Sequence, residues 1–478
     1  MDKHPIVSSD STLKECMVVI DKFAKRISFV LEEEILVGVV TDGDIRRALL
    51  NGSVIEDAVS SIMNRKFVSF PVDTNSKTIR ERFTKRVRHI PLVDDDGKLV
   101  DVADPQGNFR ISVLEPSMQG NEMNYVTECI KTNWISSQGK YVTKFEDIFH
   151  EFHHGYHPLA VSNGTVALHL ALISLGIGKG DEVIVPNLTF AASANAIIQS
   201  GASPVFCEIN PDTWCIDVNH AEKLIGPNTK AIMPVHLYGQ PCDLDSLQLL
   251  CKKFKLYMIE DCAEALGSEW KHQKVGTFGD AATFSFFGNK TITTGEGGMI
   301  IFRESSTADK ARVLRDHGMT KNKRYWHDVV GYNYRLTNLQ AAIGVAQMER
   351  IDSILKKKSL IFDTYNEIFT STNKNFRKPI KKDNTFHSNW LYGIILNNGI
   401  NRDQMMKELL LHGIETRPFF YPLNEMTPYK QYRSSKELLI SKEISRNGLS
   451  LPSSNSLEID DLNVISKTVL QLIKDRYH

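Results

Sequence analysis

Short apolar runs alternate with charged stretches in the N-terminal part of the chain, and these runs form two similar copies. In the first copy a β-branched run, residues 35–40, leads into the polar residues 41–44 and then a helical pattern over residues 45–50. The second copy has an apolar run at residues 89–93, a turn, and another apolar run at residues 99–102. This repetition predicts one paired module built from an internal repeat.

From about residue 111 the pattern becomes a long alternation of strand-like apolar runs and helical stretches. Leu244, Leu247, Leu250 and Phe254, for example, recur at the spacing of one helix face. The predicted strands are residues 183–185, 205–207, 231–234, 257–260 and 283–286, and further helices are predicted at residues 166–175, 191–199, 338–351 and 460–473. This alternation predicts an α/β fold in which helices cover both faces of a largely parallel sheet, with ligands at the carboxyl ends of the strands.

A turn-rich segment, residues 104–108, separates the two patterns and predicts a domain boundary. The tail from about residue 351 is richer in lysine and ends in an amphipathic helix. We therefore expect an N-terminal module over residues 1–108, a large domain over residues 109–350 and a small C-terminal domain over residues 351–478. The lysines of residues 356–358 are predicted to lie on a solvated face.

Composition excludes several classes of partner. Lysine plus arginine and aspartate plus glutamate both number 57, so no net field draws the protein to nucleic acid or an anionic membrane. The seven cysteines are scattered and lack paired spacing, which predicts reduced thiols and no metal site. No apolar run reaches signal-peptide length or the ~18 residues of a membrane helix. The chain is predicted to be cytoplasmic, without a nucleic acid or membrane partner.

Lys290 lies between a predicted apolar strand and a glycine-rich turn at residues 295–298. In a dry pocket the ammonium form of such a lysine is disfavoured, so its neutral amine becomes available to condense with an aldehyde. The competing interpretation is an ordinary surface lysine at a strand-to-turn junction. Lys290 alone does not decide between them.

Asp261 follows the predicted strand at residues 257–260. A carboxylate at that strand end can keep a pyridinium nitrogen protonated, and each unit of pKa gained is worth ~1.4 kcal/mol. The competing interpretation is a helix N-cap, since polar residues after a strand often cap the next helix. Glu264 is a second acid in the same segment.

Residues 162–165, with the sequence Ser-Asn-Gly-Thr, open the predicted helix at residues 166–175. Unpaired backbone N–H groups and the helix dipole make this a candidate phosphate cradle, to which the Thr165 hydroxyl adds a donor. The same residues also fit an ordinary helix cap. Cradle, acid and lysine nevertheless occur in the order that pyridoxal phosphate requires, so their combination predicts this cofactor.

These motifs resemble those of the DegT/StrS-type sugar-nucleotide aminotransferases from about residue 111 to near the C-terminus. The resemblance implies a fold-type-I pyridoxal phosphate fold with a smaller C-terminal α+β domain. It implies that the catalytic residues are Lys290 and Asp261 and that the cofactor-binding residues are Gly164, Thr165, Phe190, Asp261, Glu264, Ser285, Lys290 and Asn333. Asn333 would reach the phosphate in the neighbouring subunit, which implies a homodimer with shared active sites. A simple turn before the helix at residues 338–351 also explains Asn333.

Three segments, residues 132–139, 286–298 and 333–338, resemble family members that act on GDP-4-keto-6-deoxymannose. The implied reaction is amino transfer from glutamate to this nucleotide-linked keto sugar, with Lys290 moving the proton. Candidate substrate contacts, for each of which a structural role is an alternative, are Trp134, His236, Arg315, His317 and Arg417.

Other functions stay open at this stage. A UDP-linked or dTDP-linked keto sugar is an alternative substrate. A sugar dehydratase of this family would carry histidine at position 290, and the lysine argues against it. A nucleotide-sensing regulatory protein with a vestigial transferase domain is a further alternative, which the set Thr165, Asp261, Ser285 and Lys290 disfavours.

The N-terminal repeat resembles a tandem cystathionine-β-synthase (CBS) module, and residues 38–49 carry the resemblance. The resemblance implies that Thr41 contacts the phosphate, and Asp44 the ribose, of an adenine nucleotide. The second copy departs from the pattern because it reads Val-Ala-Asp-Pro at residues 102–105. A dimerisation or docking module without a ligand is the alternative.

Overall fold

The computed structural model describes residues 4–74, 76–80, 82–84, 87–105, 110–320, 323–369, 375–380, 382–397, 399–434 and 438–477. Most of the predicted domain boundary, residues 106–108, lies outside these ranges. The chain divides into two compact units. Unit 1 comprises Met1–Ile111, Met406–Glu415 and Asn463–Leu472, and unit 2 comprises the remainder. Whether residues 351–478 form a separate domain stays a prediction.

Unit 1 contains two three-stranded sheets with the same connectivity. The strands are β1 (Ile6–Ser8), β2 (Ile27–Glu32), β3 (Ile35–Thr41), β4 (Phe70–Pro71), β5 (Ile90–Val93) and β6 (Leu99–Ala103), and the helices are α1 (Leu13–Phe23), α2 (Asp42–Leu50) and α3 (Ser76–Arg80). In each sheet the central strand pairs in parallel with the preceding strand and antiparallel with the following one. The repeat predicted from the apolar runs is therefore present as two copies of one motif.

Unit 2 is built around a seven-stranded sheet of order β7-β15-β14-β11-β10-β8-β9. The sheet strands are β7 (His157–Val161), β8 (Glu182–Pro186), β9 (Ser203–Cys207), β10 (Thr229–Ile232), β11 (Tyr257–Asp261), β14 (Ala281–Ser285) and β15 (Gly298–Phe302). Of the seven strands, β15 alone runs in the direction opposite to the other six. The predicted largely parallel sheet is confirmed, although the apolar pattern did not reveal β7 and β15.

Helices cover both faces of this sheet. Along β8, Val183 and Val185 pack into one apolar cluster while Ile184 packs into another, as expected when successive side chains point to opposite faces. The helices before residue 370 are α4 (Glu122–Lys131), α5 (Lys140–Phe152), α6 (Gly164–Ser174), α7 (Ala192–Gln199), α8 (Val218–Leu224), α9 (Leu244–Phe254), α10 (Ser305–Arg315), α11 (Asn338–Met348) and α12 (Ile351–Ile368).

Two smaller antiparallel sheets complete unit 2. One has the order β13-β12-β17 and the other β16-β18-β20-β19. The remaining elements of unit 2 are β12 (Glu269–Trp270), β13 (Gln273–Lys274), β16 (Phe376–Arg377), β17 (Thr385–Phe386), β18 (Tyr392–Leu396), β19 (Arg417–Pro418), α14 (Leu439–Asn447) and β20 (Gly448–Leu451). Two further helices, α13 (Arg402–Leu411) and α15 (Ile459–Tyr477), have most of their residues in the segments that belong to unit 1. Within the described residues, no helix combines the length and the apolar character needed to span a bilayer.

Candidate active site

A cavity of about 900 Å³ lies where β11 and β14 end and α6 begins. Parallel strands deliver their carboxyl ends to one sheet edge, and helices that follow them start there. Seven of the predicted cofactor residues line this cavity: Gly164, Thr165, Phe190, Asp261, Glu264, Ser285 and Lys290. Elements separated by more than a hundred residues are thus brought together around one space.

The amine of Lys290 lies inside this cavity and not in bulk solvent. Its side chain is 13% exposed, and Nζ lies 3.5 Å from Oε1 of Glu264. On another side Nζ lies 3.9 Å from the ring centroid of Trp390. The interpretation of Lys290 as a surface lysine is therefore wrong.

Asp261 is the last residue of β11, and its carboxylate is buried. Oδ2 accepts a hydrogen bond from Ser193 Oγ at 2.8 Å, and Oδ1 accepts one from the N–H of Ala263 at 3.1 Å. Burial raises the pKa of Asp261, while these hydrogen bonds and the charge of Lys290 act in the opposite direction. The next element after Asp261 is the strand β12, so Asp261 does not cap a helix.

Glu264 connects Lys290 to the backbone of a neighbouring loop. Oε2 accepts a hydrogen bond from the N–H of Tyr238 at 2.8 Å, while Oε1 faces Lys290. Burial raises the pKa of Glu264, and the charge of Lys290 partly offsets this effect. The two buried carboxylates and the one lysine therefore form a coupled set, in which a further cation would be stabilised.

The start of α6 leaves backbone N–H groups free of helical hydrogen bonds and lies close to the end of β14. The Asn163 side chain caps the N–H of Val166 at 3.0 Å, while the N–H groups of Gly164 and Thr165 precede the first helical hydrogen bond. A Cβ at position 164 would lie 2.8 Å from Cβ of Ser285, so only glycine fits without a shift. Helix cap and phosphate cradle are thus compatible, because the cap uses a different N–H.

Pyridoxal phosphate fits this set of residues. The helix start offers backbone donors and two hydroxyl groups for a phosphate, from Thr165 and Ser285. Asp261 offers a buried carboxylate for a protonated ring nitrogen. Phe190 lines the cavity with its side chain 59% exposed, so a ring face is available for stacking. Lys290 supplies the amine that the aldehyde requires.

Some predicted residues do not line the cavity. Asn333 is exposed, and its Oδ1 accepts a hydrogen bond from Arg335 Nε at 3.1 Å. Trp134 is also exposed, and Nε2 of His317 lies 3.4 Å from a guanidinium nitrogen of Arg335. Arg417, by contrast, lines the cavity. Of the described residues that line it, Arg417 is the one arginine.

The structure corrects the prediction of a substrate contact at His236, which is fully buried and does not line the cavity. Nδ1 accepts the N–H of Cys242 at 3.0 Å, and Nε2 lies 3.1 Å from Glu260. Glu260 also accepts three backbone N–H groups, so it belongs to a closed polar network. Potential ligand atoms of His236, Glu260 and Cys262 lie within 4.8 Å of one another, but this network already uses the carboxylate.

The structure also corrects the prediction of a substrate contact at Arg315. Nη1 donates hydrogen bonds to Glu146 Oε1 at 2.6 Å and to the carbonyl oxygen of Ala160 at 2.8 Å. The side chain therefore fixes α10 to α5 and β7, because both acceptors belong to those elements. It does not line the cavity and has a structural position.

Sequence reasoning missed two residues next to the reacting groups. Ser193 contacts Asp261, and its position three residues after Phe190, at the start of α7, was an available signal. Trp390 faces Lys290 but lies one hundred residues further along the chain, before β18. No local pattern distinguishes it from a core tryptophan.

Unit 1 has its own cavity of about 480 Å³, which Thr41 and Asp44 line. Thr41 caps α2: its Oγ1 accepts the N–H of Asp44 at 3.3 Å and donates to Oδ2 of Asp44 at 2.6 Å. Basic side chains line the same cavity, namely Lys25, Arg26, Lys66 and Arg88. The two predicted residues thus lie beside a positively charged space suited to an anion.

Comparisons with known proteins agree with this geometry. Residues 116–470 match the DegT/DnrJ/EryC1/StrS aminotransferase family, and residues 1–51 and 59–103 match the CBS domain. GDP-perosamine synthase from Vibrio cholerae is 48% identical over 361 residues, covering 75% of this chain and 98% of that protein. The Escherichia coli O157:H7 GDP-perosamine synthase is 44% identical over 366 residues, covering 77% and 99%.

Solved structures give the same result. Helicobacter pylori PseC, an aminotransferase involved in the biosynthesis of pseudoaminic acid, has a TM-score of 0.73 at 30% identity, covering 77% of this chain and all of that one. The putative sugar aminotransferase Spr1654 from Streptococcus pneumoniae in its PLP form has a TM-score of 0.73 at 27% identity, covering 77% and 99%. The chain belongs to the DegT/DnrJ/EryC1/StrS aminotransferase family and is a pyridoxal phosphate-dependent enzyme that aminates a nucleotide sugar.

Proposed function

We propose that this enzyme transfers an amino group from glutamate to GDP-4-keto-6-deoxymannose and so forms GDP-perosamine for a surface polysaccharide, in the cytoplasm. The observation that carries the proposal is the 48% identity to a GDP-perosamine synthase over 98% of its length. The equipped cavity around Lys290 supports an active transferase over a vestigial one, because its amine, acids and phosphate cradle are all present.

In this proposal Lys290 is the catalytic amine and Asp261 the catalytic carboxylate. Pyridoxal phosphate, when bound, supplies an aldehyde that carries the amino group and a ring that withdraws electrons. Asp261 holds the proton on the ring nitrogen, so that the ring keeps its positive charge. Nζ of Lys290 would take the proton from the α-carbon of the donor and deliver it to the cofactor carbon that carried the aldehyde. Glu264, at 3.5 Å, keeps this amine directed into the cavity.

The remaining cofactor contacts follow from the cavity lining. We assign the phosphate to Gly164, Thr165 and Ser285, and the ring face to Phe190. Arg417 is placed to bind an anionic part of a substrate, either the diphosphate or the donor carboxylate. Asn333, Trp134 and His317 lie outside the lining. We assign Asn333 to the phosphate of a second subunit in a homodimer, and we keep Trp134 and His317 as proposed substrate contacts.

For unit 1 we propose that an adenine nucleotide binds in the basic cavity beside Thr41 and Asp44. The basic side chains complement the phosphates, and the Asp44 carboxylate can accept hydrogen bonds from ribose hydroxyls. Calorimetry of the full-length enzyme with AMP, ATP and a GDP-sugar tests this assignment. Loss of the AMP or ATP signal in Asp44→Ala is expected. A chain that binds none of the three would leave only a docking role for the module.

One assay separates the alternative substrates. The purified enzyme receives pyridoxal phosphate, glutamate and one 4-keto-6-deoxy sugar linked to GDP, UDP or dTDP, and mass spectrometry detects the amino sugar. We expect the amino product with the GDP-linked sugar and none with the Lys290→Ala control. Amination of only a UDP-linked or dTDP-linked sugar would contradict the proposed substrate. No amination of any sugar would favour a vestigial transferase.

A further inference from the structure

Lys358 is a buried lysine that the proposed reaction does not use. It lies on α12, its side chain is 1% exposed, and it was expected on a solvated face. Its ammonium group donates hydrogen bonds to the carbonyl oxygens of Trp390 at 3.1 Å and Ser453 at 2.5 Å. Among the described residues, no carboxylate lies within ion-pair distance of it. Burying an ammonium group is costly, so its retention in this position requires an explanation.

One of these two carbonyl groups belongs to a residue of the active-site cavity. Lys358 fixes the carbonyl oxygen of Trp390. The backbone N–H of Trp390 donates to the carbonyl oxygen of Tyr238 at 3.2 Å. The indole N–H of Trp390 donates to the carbonyl oxygen of Asn289 at 2.7 Å. Three hydrogen bonds therefore hold the backbone and the indole ring of Trp390. The face of the ring takes part in none of them.

That face meets the reacting amine. Nζ of Lys290 lies 3.9 Å from the ring centroid of Trp390, within the range of a cation–π contact. Asn289, which accepts the indole N–H, is the residue directly before Lys290. The charged groups that face Lys290 are Asp261 and Glu264, and Lys358 acts on it only through the tryptophan.

We propose that Lys358 is a positioning residue for amino transfer, which holds the indole of Trp390 in place against Nζ of Lys290. The inference rests on Lys290 as the reacting amine. Burial lowers the pKa of Lys358 to about 7, but the neutral amine also donates hydrogen bonds, so the two carbonyl contacts persist in either form. The contact network, and not the charge state, carries the positioning role.

The test measures how fast an amine-reactive reagent labels Lys290 in the cofactor-free, full-length enzyme at one fixed pH. Peptide mass spectrometry reads the labelling, so the result does not depend on the substrate of the enzyme. In Lys358→Met the indole loses one anchor, and Lys290 should react about two- to fivefold faster, the size of one cation–π contact. Trp390→Ala should give the same increase. The matched control is Lys356→Met, an exposed lysine of the same helix, which should react like the parent.

A double-substitution cycle separates positioning from a general loss of stability. In the Trp390→Ala background, Lys358→Met should not increase the labelling rate of Lys290 further. As a single substitution, Lys358→Met should lower kcat of the cofactor-loaded enzyme without changing KM. The inference would be overturned if the labelling rate of the double variant rose by the product of the two single increases. It would also be overturned if Lys358→Met labelled at the rate of the parent. If Lys358→Met does not fold, Lys358→Gln replaces it, since its amide keeps a donor nitrogen but is too short to reach both carbonyl groups. The same outcomes then decide.

Discussion

Ser193 Oγ donates a hydrogen bond to Oδ2 of Asp261 at 2.8 Å, although 68 positions separate the two residues. The contact joins the first turn of α7 to the end of β11. A hydrogen bond to the ionised form of a carboxyl favours that form, and this bond opposes the effect of burial on Asp261. The serine is therefore expected to keep the acid ready for its role.

Removing this hydroxyl should move the pH dependence of the enzyme. In Ser193→Ala the pKa of Asp261 rises further, because a group that lowered it is gone. The acid limb of the kcat/KM profile should then shift to higher pH, and kcat/KM should fall about tenfold, as for one hydrogen bond to a charged group. Ser200→Ala, at the other end of α7, is the control. An unchanged acid limb would show that Ser193 does not tune the acid.

Asp261→Asn should separate stability from activity. The pKa of Asp261 is raised in the folded protein, so its ionised form costs stability at every pH above that raised value. The amide removes this cost at neutral pH, and we expect the Tm of the cofactor-free enzyme to rise by about 1 to 3 °C. Amino transfer should be lost. A variant with lower Tm and parental activity in calorimetry and turnover assays would contradict both expectations.

Gly164→Ala tests the close approach between α6 and β14. The new Cβ would lie 2.8 Å from Cβ of Ser285, so either the helix start or the serine must shift. We expect the Kd for pyridoxal phosphate, measured by fluorescence titration, to rise about tenfold, the cost of modest overpacking. Gly288→Ala, where a Cβ meets open space, is the matched control. Equal Kd values for the two variants would show that the close approach of position 164 to Ser285 does not affect cofactor binding.

His236→Gln distinguishes a structural residue from a substrate contact. The substitution breaks a buried hydrogen bond to Glu260, and we expect a loss of about 1 to 3 kcal/mol in the free energy of unfolding. KM for the sugar nucleotide should not change. Arg417→Met should show the reverse, with a higher KM for one substrate and an unchanged unfolding midpoint. A raised KM in the folded His236→Gln enzyme would restore its assignment as a substrate contact.

The parts of the fold that were predictable from the sequence are those encoded by local patterns. The strand before Asp261 and the helix after Asn163 each carry their own apolar signal, and both are found within two residues of their predicted limits. Strands β7 and β15 were missed because each is a five-residue, largely buried apolar run, and periodicity alone does not identify such a run as a strand. The repeat in unit 1 was visible because the same strand-turn pattern occurs twice.

Residue roles that depend on distant contacts were less predictable. The side chains of His236 and Arg315 are suited to binding a diphosphate. Only the structure reveals that His236 contacts Glu260 and that Arg315 contacts Glu146. Lys358 sits in a run of three lysines typical of a solvated face, yet the helix turns it into the core. Trp390 has no signal at all in its neighbourhood. Polar side chains on a helix or loop do not reveal their partners.

We propose that Lys290 carries the cofactor, and reduction of the cofactor-loaded enzyme with borohydride tests this assignment. The reagent makes the cofactor–lysine linkage permanent, and mass spectrometry of the digested protein then locates the added mass. We expect the added mass on the peptide that contains Lys290, and we expect no added mass in Lys290→Ala. The added mass on another lysine, or on none in the active parent enzyme, would contradict it.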